Sequence, residues 1–242
     1  LSHYPIALNL DNKSILVVGG GTVAERKVGA LLETGADITV VSPELTPKLE
    51  EQKDQDLISC ERKNYQTADI EDEFLVIGAT NSPDVNKQIA EDAFARNLLV
   101  NIVDQPEISN FNVPAVVREG ALCLSISTGG KSPALSGRIR RELEEGFGVE
   151  YDHFLELMGD LRGKIIAKVN KERVRKQIFK DLAYSKAIKY MQEGSYQQAI
   201  EIINNILPSE IKVALLDDQD DQDDQDDDKF KIIEVKEANN EE

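Results

Sequence analysis

Short aliphatic runs alternate with amphipathic stretches over the first hundred positions of the chain. Ser14–Val18 is almost wholly apolar and feeds a glycine turn. Behind the turn, apolar positions recur at helical spacing to Thr34, with Gly35 placed to end the helix. Asp37–Val41 reads as the next strand, followed by strands at 57–61, 74–79 and 98–103. Between the last two, Ser82-Pro83 supplies an N-cap and an N1 proline for a helix through Arg96. Ile6, Leu8 and Leu10 alternate ahead of Asp11-Asn12 and predict an edge strand turning back into Ser14–Val18. Strands this apolar, separated by helices, predict a mainly parallel α/β sheet covered on both faces.

The pattern then changes. Residues 121–127 predict a strand with Leu122, Leu124 and Ile126 on one face. A second glycine turn follows, Thr128-Gly129-Gly130-Lys131-Ser132-Pro133, with Ser132 as cap and Pro133 at N1 of a helix that carries Arg138, Arg140 and Arg141. From Gly148 onward the chain reads helical: Phe154, Met158, Leu161 and Ile165 share a face, as do Val174, Ile178 and Leu182. Ser195-Tyr196-Gln197-Gln198 predicts a capping box before Ala199, Ile200, Ile203 and Leu207, and Pro208 stops that helix. These stripes are core positions of a small helical domain. The expected organisation is therefore 1–113, a nucleotide-binding domain; 114–147, a connecting segment; 148–208, a helical domain; and 209–242, an acidic and disordered tail.

The first glycine turn carries the chemistry. Glycine lets the backbone approach a pyrophosphate, and the free N–H groups of a helix start, here at Thr22 and Val23, point at it with the positive end of the helix dipole. Gly19-x-Gly21-x-x-Ala24 fits the dinucleotide fingerprint, and a second strand follows on schedule to complete a Rossmann-like βαβ unit. The acidic residue expected after that strand is replaced by Ser42-Pro43, with Glu44 close behind; Ser42 or Glu44 is the candidate for the adenosine ribose. No Lys or Arg adjoins Ser42 in sequence, the nearest being Lys48, so NAD is favoured over NADP. Ligands of such sheets sit beyond the carboxyl ends of the strands, where Gly19, Ser42, Thr80, Asn81 and Asp104 all fall. The second turn is either a carboxylate site, built from a helix start and arginines, or an ordinary capped helix with a solvated basic face.

Charge and composition narrow the classes. The 242 residues hold 45 Asp and Glu against 28 Lys and Arg, a net charge of −17 that disfavours nucleic acid and anionic membrane as partners. Residues 217–242 alone carry nine Asp and four Glu against three Lys, so this stretch cannot bury enough apolar surface to order itself. Within it, 229–235 alternates enough for a short strand or a docking peptide. No run of 18 apolar residues occurs, and the opening Leu-Ser-His-Tyr-Pro has neither the basic nor the apolar region of a secretory signal, which sets the expectation of a cytoplasmic protein without a membrane span. Two cysteines, Cys60 and Cys123, and two histidines, His3 and His153, make neither a disulfide framework nor a closed zinc site.

Taken together, Tyr4-Pro5-Ile6, Val17 to Lys27 (Val-Val-Gly-Gly-Gly-Thr-Val-Ala-Glu-Arg-Lys), Gly35 to Val41, Ala79-Thr80-Asn81, Asn101-Ile102-Val103-Asp104-Gln105-Pro106, Phe111 to Ala115 and Ser127 to Pro133 resemble precorrin-2 dehydrogenase, the amino-terminal region of siroheme synthases. The resemblance covers residues 4–208; the acidic tail falls outside it. It implies a homodimer in which 114–147 is the dimerisation segment, and NAD-dependent oxidation of the tetrapyrrole precorrin-2 to sirohydrochlorin. It also implies, for some members, insertion of Fe²⁺ or Co²⁺ as substrate metal. It assigns the acid–base role to Asp104 and places Thr128 where some members carry a phosphorylatable serine. For a polycarboxylate substrate, Lys131, Arg138 and the helix start at Ser132 are candidate contacts, with Thr128, Gly129 and Gly130 beside them. A different class of protein, a dinucleotide-sensing module without chemistry, needs the first turn but has no need of Asp104.

Overall fold

The computed structural model describes residues 3–215 and 230–234. The chain divides into two compact units, Leu1–Val113 and Pro114–Glu242. In the first, β1 (Ser14–Val18), α1 (Thr22–Leu32), β2 (Asp37–Val41), α2 (Pro47–Asp54), β3 (Ser59–Glu61), β4 (Leu75–Gly78), α3 (Pro83–Ala95) and β5 (Leu99–Ile102) alternate. The strands form one parallel sheet in the order β3-β2-β1-β4-β5, as a Rossmann-like α/β fold requires.

Strand alternation divides the core between two faces. Ile15, Val17, Ile38, Val40, Leu75 and Ile77 meet Ala24 and Val28 of α1 and Leu49 of α2. Leu16, Val18, Val41, Val76, Val100 and Ile102 meet Ile89, Ala90 and Ala93 of α3 on the other. Each face is thus covered by helices, which is why the strands read as continuous apolar runs. Thr46 and Ser82 cap α2 and α3 through their hydroxyls, with Pro47 and Pro83 at the first helical position. A cap of this kind contributes about 1 kcal/mol.

The edge strand expected at Ile6–Leu10 does not form. Of its three alternating residues only Leu10 is buried, Ile6 and Leu8 stand exposed, and the segment joins no ladder of the sheet. Alternation needs a partner strand to become structure, and here the turn ahead of β1 is what is tied down: Asp37 N–H of β2 bonds Lys13 O at 2.9 Å, and Asn12 N–H bonds Gly35 O at 2.8 Å.

The second unit opens with a hairpin, β6 (Ala115–Glu119) and β7 (Leu122–Ile126), turned at Gly120 with φ +50°. Asp152 accepts from Ala121 N–H at 3.3 Å, and a Cβ at Gly120 would collide with that carboxylate. Helices α4 (Pro133–Glu144), α5 (Val149–Lys168), α6 (Glu172–Ala183), α7 (Ala187–Gln192) and α8 (Tyr196–Ile206) follow. Phe154, Leu157, Leu161, Ile165, Ile178, Leu182, Ile200 and Ile203 enclose one helical core. Met158 packs at its margin, Val174 is exposed instead, and Ser195 makes no side-chain capping hydrogen bond to α8.

The chain beyond Pro208 departs from the disordered tail expected there. β8 (Ile211–Leu215) pairs antiparallel with β9 (Phe230–Glu234), and Ile211 and Val213 join the helical core. Asn204 ties β8 down by exchanging hydrogen bonds with Val213 at 2.8 and 2.9 Å. Apolar residues at 211, 213 and 230 give this segment surface to bury. The Asp-rich run between the strands lies outside the described residues. Among those residues no helix is long and apolar enough to cross a membrane.

Candidate active site

The glycine turn is built against its neighbours. Gly19 has φ +118°, and a Cβ there would stand 2.4 Å from Ala79 O, at the end of β4. At Gly20 a Cβ would stand 2.0 Å from Glu44 O, because the loop after β2 folds over the turn and Thr46 N–H bonds Gly20 O at 3.0 Å. Gly21 is different: nothing lies within 4 Å of where its Cβ would be. It is the N-cap of α1 and supplies no side-chain cap, so the first N–H groups of the helix, at Thr22 and Val23, have none.

That open side belongs to a cleft of about 570 Å³ at the carboxyl ends of β1, β2 and β4. It is lined by Gly19–Gly21, by Ser42, Pro43 and Glu44, by Lys63–Tyr65, and by Thr80 and Asn81. Open space beside Gly21 at a helix N-terminus fits the pyrophosphate of a dinucleotide. Ser42 is buried and donates its hydroxyl to Glu44 O at 2.7 Å, so its side chain shapes the loop, while Pro43 and Glu44 form an exposed lip.

Sequence reasoning missed the residues that hold this rim. Asn86, buried on α3, accepts from Thr80 Oγ1 at 2.7 Å and donates to Thr80 O at 3.1 Å. Only its spacing from Thr80 across the α3 cap hinted at it. Lys63 enters the cleft from beyond β3, although it is distant from Ser42 in sequence. Its ammonium bonds Asp69 at 2.8 Å and Glu61 at 2.5 Å, and these hydrogen bonds hold its pKa above the usual lysine value. Tyr65 donates to Asp92 at 2.9 Å; burial, then the Asp92 bond, pushes its phenol well above the usual range.

Asp104 follows β5, the strand beside β4, and is exposed with φ +59°. It is outside the residues that line the cleft. Its loop is anchored on both sides: Ser109 Oγ accepts from Ile102 N–H at 2.9 Å, and Asn110 bonds Val100 N–H and Leu98 O at 2.8 Å each. Asn101, the first residue of the Asn-Ile-Val-Asp run, donates to Phe111 O at 3.0 Å. Lys27, on α1, feels the Asp104 carboxylate; burial lowers its pKa, Arg26 lowers it further, and Asp104 partly offsets both.

In the second unit, Thr128 Oγ1 accepts from Ser132 N–H at 3.2 Å and lies 3.1 Å from Ser136 Oγ, closing the turn on itself. Gly129 and Gly130 both have left-handed φ, with open space around them. Ser132 Oγ caps α4 at Leu135 N–H. Lys131 is exposed, and Arg138 pairs with Glu142 at 2.6 Å on the exposed face of the helix. Among the described residues, no group of three or more His, Cys, Asp or Glu is placed to hold a metal ion.

Fold and cleft define a Rossmann-type domain for a nicotinamide dinucleotide, and a family model described as putative NAD(P)-binding matches residues 6–115. A second model, sirohaem biosynthesis protein central, matches residues 119–145. The siroheme synthase of Thioalkalivibrio sulfidiphilus is 32% identical over 207 residues, 86% of this chain and 42% of its own length. That of Xylella fastidiosa is 37% identical over 177 residues, 73% of this chain and 37% of its own. The solved structure of SirC, a precorrin-2 dehydrogenase, superposes with a TM-score of 0.70 at 28% identity, covering 84% of this chain and 100% of that one. The chain corresponds to the amino-terminal region of siroheme synthases, as the motifs implied. It spans less than half the length of these siroheme synthases.

Proposed function

We propose that this chain catalyses the NAD-dependent dehydrogenation of precorrin-2 to sirohydrochlorin, as a homodimer in the cytoplasm. The observation that carries the reading is the open side of Gly21 at the start of α1, within a cleft whose rim ends one strand away from Asp104. When bound, NAD supplies the acceptor for a hydride. Gly21, Thr22 and Val23 hold the pyrophosphate by backbone N–H groups, while Gly19, whose own N–H bonds Val41 O at 2.9 Å, lets the turn pass close to Ala79; Ser42, Pro43 and Glu44 shape the adenosine end, and Thr80 and Asn81 the other rim. Asp104 accepts the proton that leaves the macrocycle as it becomes aromatic, and its exposure suits a bulky substrate.

The substrate carries many carboxylates, which an acidic protein attracts only through local basic groups. Thr128, Gly129, Gly130, Lys131 and Ser132 form a turn at the N-terminus of α4, where N–H groups and dipole favour an anion. Arg138 is held there only by an exposed ion pair, typically worth about 0.3–0.5 kcal/mol, so a substrate carboxylate competes for it readily. The β6–β7 hairpin supports dimerisation through 114–147. Leu122, Leu124 and Ile126 are only half covered, Leu135 is exposed, and a two-stranded ribbon is marginal without a further layer. Cys60 and Cys123 are free thiols, in keeping with a reducing compartment.

The test is optical. Precorrin-2 generated in situ should give the sirohydrochlorin spectrum only when protein and NAD⁺ are both present. No change on adding NAD⁺ overturns the dehydrogenase and favours a dinucleotide sensor. A further enzyme-dependent change on adding Fe²⁺ or Co²⁺ would add metal insertion to the activity.

A further inference from the structure

The conserved logic of a dinucleotide fold puts a carboxylate after β2 to take the ribose hydroxyls and turn away a 2′-phosphate. Here that position is Ser42, whose hydroxyl is committed to Glu44 O. Parallel pairing sets Val41 beside Glu61 at the ends of β2 and β3, and Ser42 N–H bonds Glu61 O at 3.1 Å. The loop after β3 therefore begins where the missing carboxylate would have acted. Two residues on, Lys63 lines the cleft together with Ser42, Pro43 and Glu44, and it is the only cation in that lining.

Left alone, an ammonium there would make a site for a 2′-phosphate. It is not left alone. Glu61 lies 2.5 Å and Asp69 2.8 Å from Lys63 Nζ. Asp69 is itself fixed: its side chain is 4% exposed, and its second oxygen accepts from Gln66 N–H at 2.8 Å in the cap of the 3₁₀ turn Thr67–Asp69. The trio carries a net single negative charge, and Glu44 lines the same cleft as Lys63. Two of the three ammonium protons are engaged, which leaves the third for a neutral hydroxyl.

We propose that Glu61, Lys63 and Asp69 form the device that selects a free adenosine 2′-hydroxyl over a 2′-phosphate, with Lys63 as the group that meets the ribose. This rests on the dinucleotide reading of the cleft: a lysine from the loop after β3, paired with two carboxylates, stands in for the specificity carboxylate of β2. A doubly charged 2′-phosphate meets net negative charge, whereas a hydroxyl finds a donor and an acceptor.

The experiment titrates the full chain with NADH and with NADPH, following nucleotide fluorescence, so that no turnover is needed. Wild type should bind NADH more tightly than NADPH. Glu61→Gln with Asp69→Asn should raise NADPH affinity about tenfold or more and change NADH affinity less than about threefold. Adding Lys63→Met should abolish the gain. Glu61→Gln alone, which leaves the Asp69–Gln66 bond intact, should move NADPH in the same direction by about threefold and stands in if the double variant does not fold. NADPH affinity unchanged in these variants, or a gain that survives Lys63→Met, overturns the proposal while NADH binding by wild type upholds the cleft. Binding of neither nucleotide by wild type overturns the cleft reading, and this inference with it.

Discussion

Two glycine turns open two helices in this chain, and they are made differently. Gly19 and Gly20 are glycines because backbone from β4 and from the loop after β2 occupies the place of a side chain, with Gly21 facing open space between them and the helix. Gly129 and Gly130 have no neighbour within 4 Å and are glycines for their left-handed φ alone. The first turn is a cradle assembled from three strand ends. The second is a bend whose contacts come from its own Thr128, Ser132 and Ser136. The shape of the first is imposed by its neighbours; that of the second is imposed by its own backbone.

Substitutions should separate the two. Gly20→Ala drives a methyl into the Glu44 carbonyl and should cost about 3 kcal/mol in urea unfolding, with loss of NADH binding; an unchanged midpoint would break the cradle. Gly21→Ala, at φ −83°, should leave stability within about 1 kcal/mol. The same variant should weaken NADH binding more than about tenfold, because the methyl enters the open space proposed for the pyrophosphate. Equal affinity would show that the open side faces nothing. Gly130→Ala, at φ +77°, should cost about 1 kcal/mol from backbone strain, with NADH affinity preserved.

The smallest effect is a pH dependence at the cleft wall. Burial and the bond to Asp92 keep the Tyr65 phenol protonated above its ordinary pKa in the fold. Above about pH 10 the unfolded chain releases that proton and the folded chain does not, so stability falls as pH rises. Because Tyr65 is only partly buried, solvent screening keeps this slope below about 1 kcal/mol per pH unit. Tyr65→Phe should lessen the alkaline fall relative to wild type; identical slopes would remove Tyr65 as its source.

The same contrast explains what was legible in the sequence. β1, the first turn and α1 announce themselves because apolar period, glycine and helix follow within twenty residues. α2 does not, since Leu49 is its only buried apolar residue. β6 is masked by Arg118 and Glu119, and β8, with Ile211 and Val213, by the acidic run that follows it in sequence. At Ile6 and Leu8 the pattern was present and the partner strand was not. The cleft's outline could be read from strand ends, but Asn86 and Lys63 reach it through tertiary pairing, α3 against β4 and β3 against β2, which no local motif records.

The central claim is that one carboxylate, Asp104, works beside a bound nicotinamide. Asp104→Asn, assayed for NAD⁺-dependent sirohydrochlorin formation and for NADH binding on the same preparation, tests it most directly. The account predicts NADH affinity within about twofold of wild type and dehydrogenation slowed by about 10² or more. Dehydrogenation at the wild-type rate would contradict it.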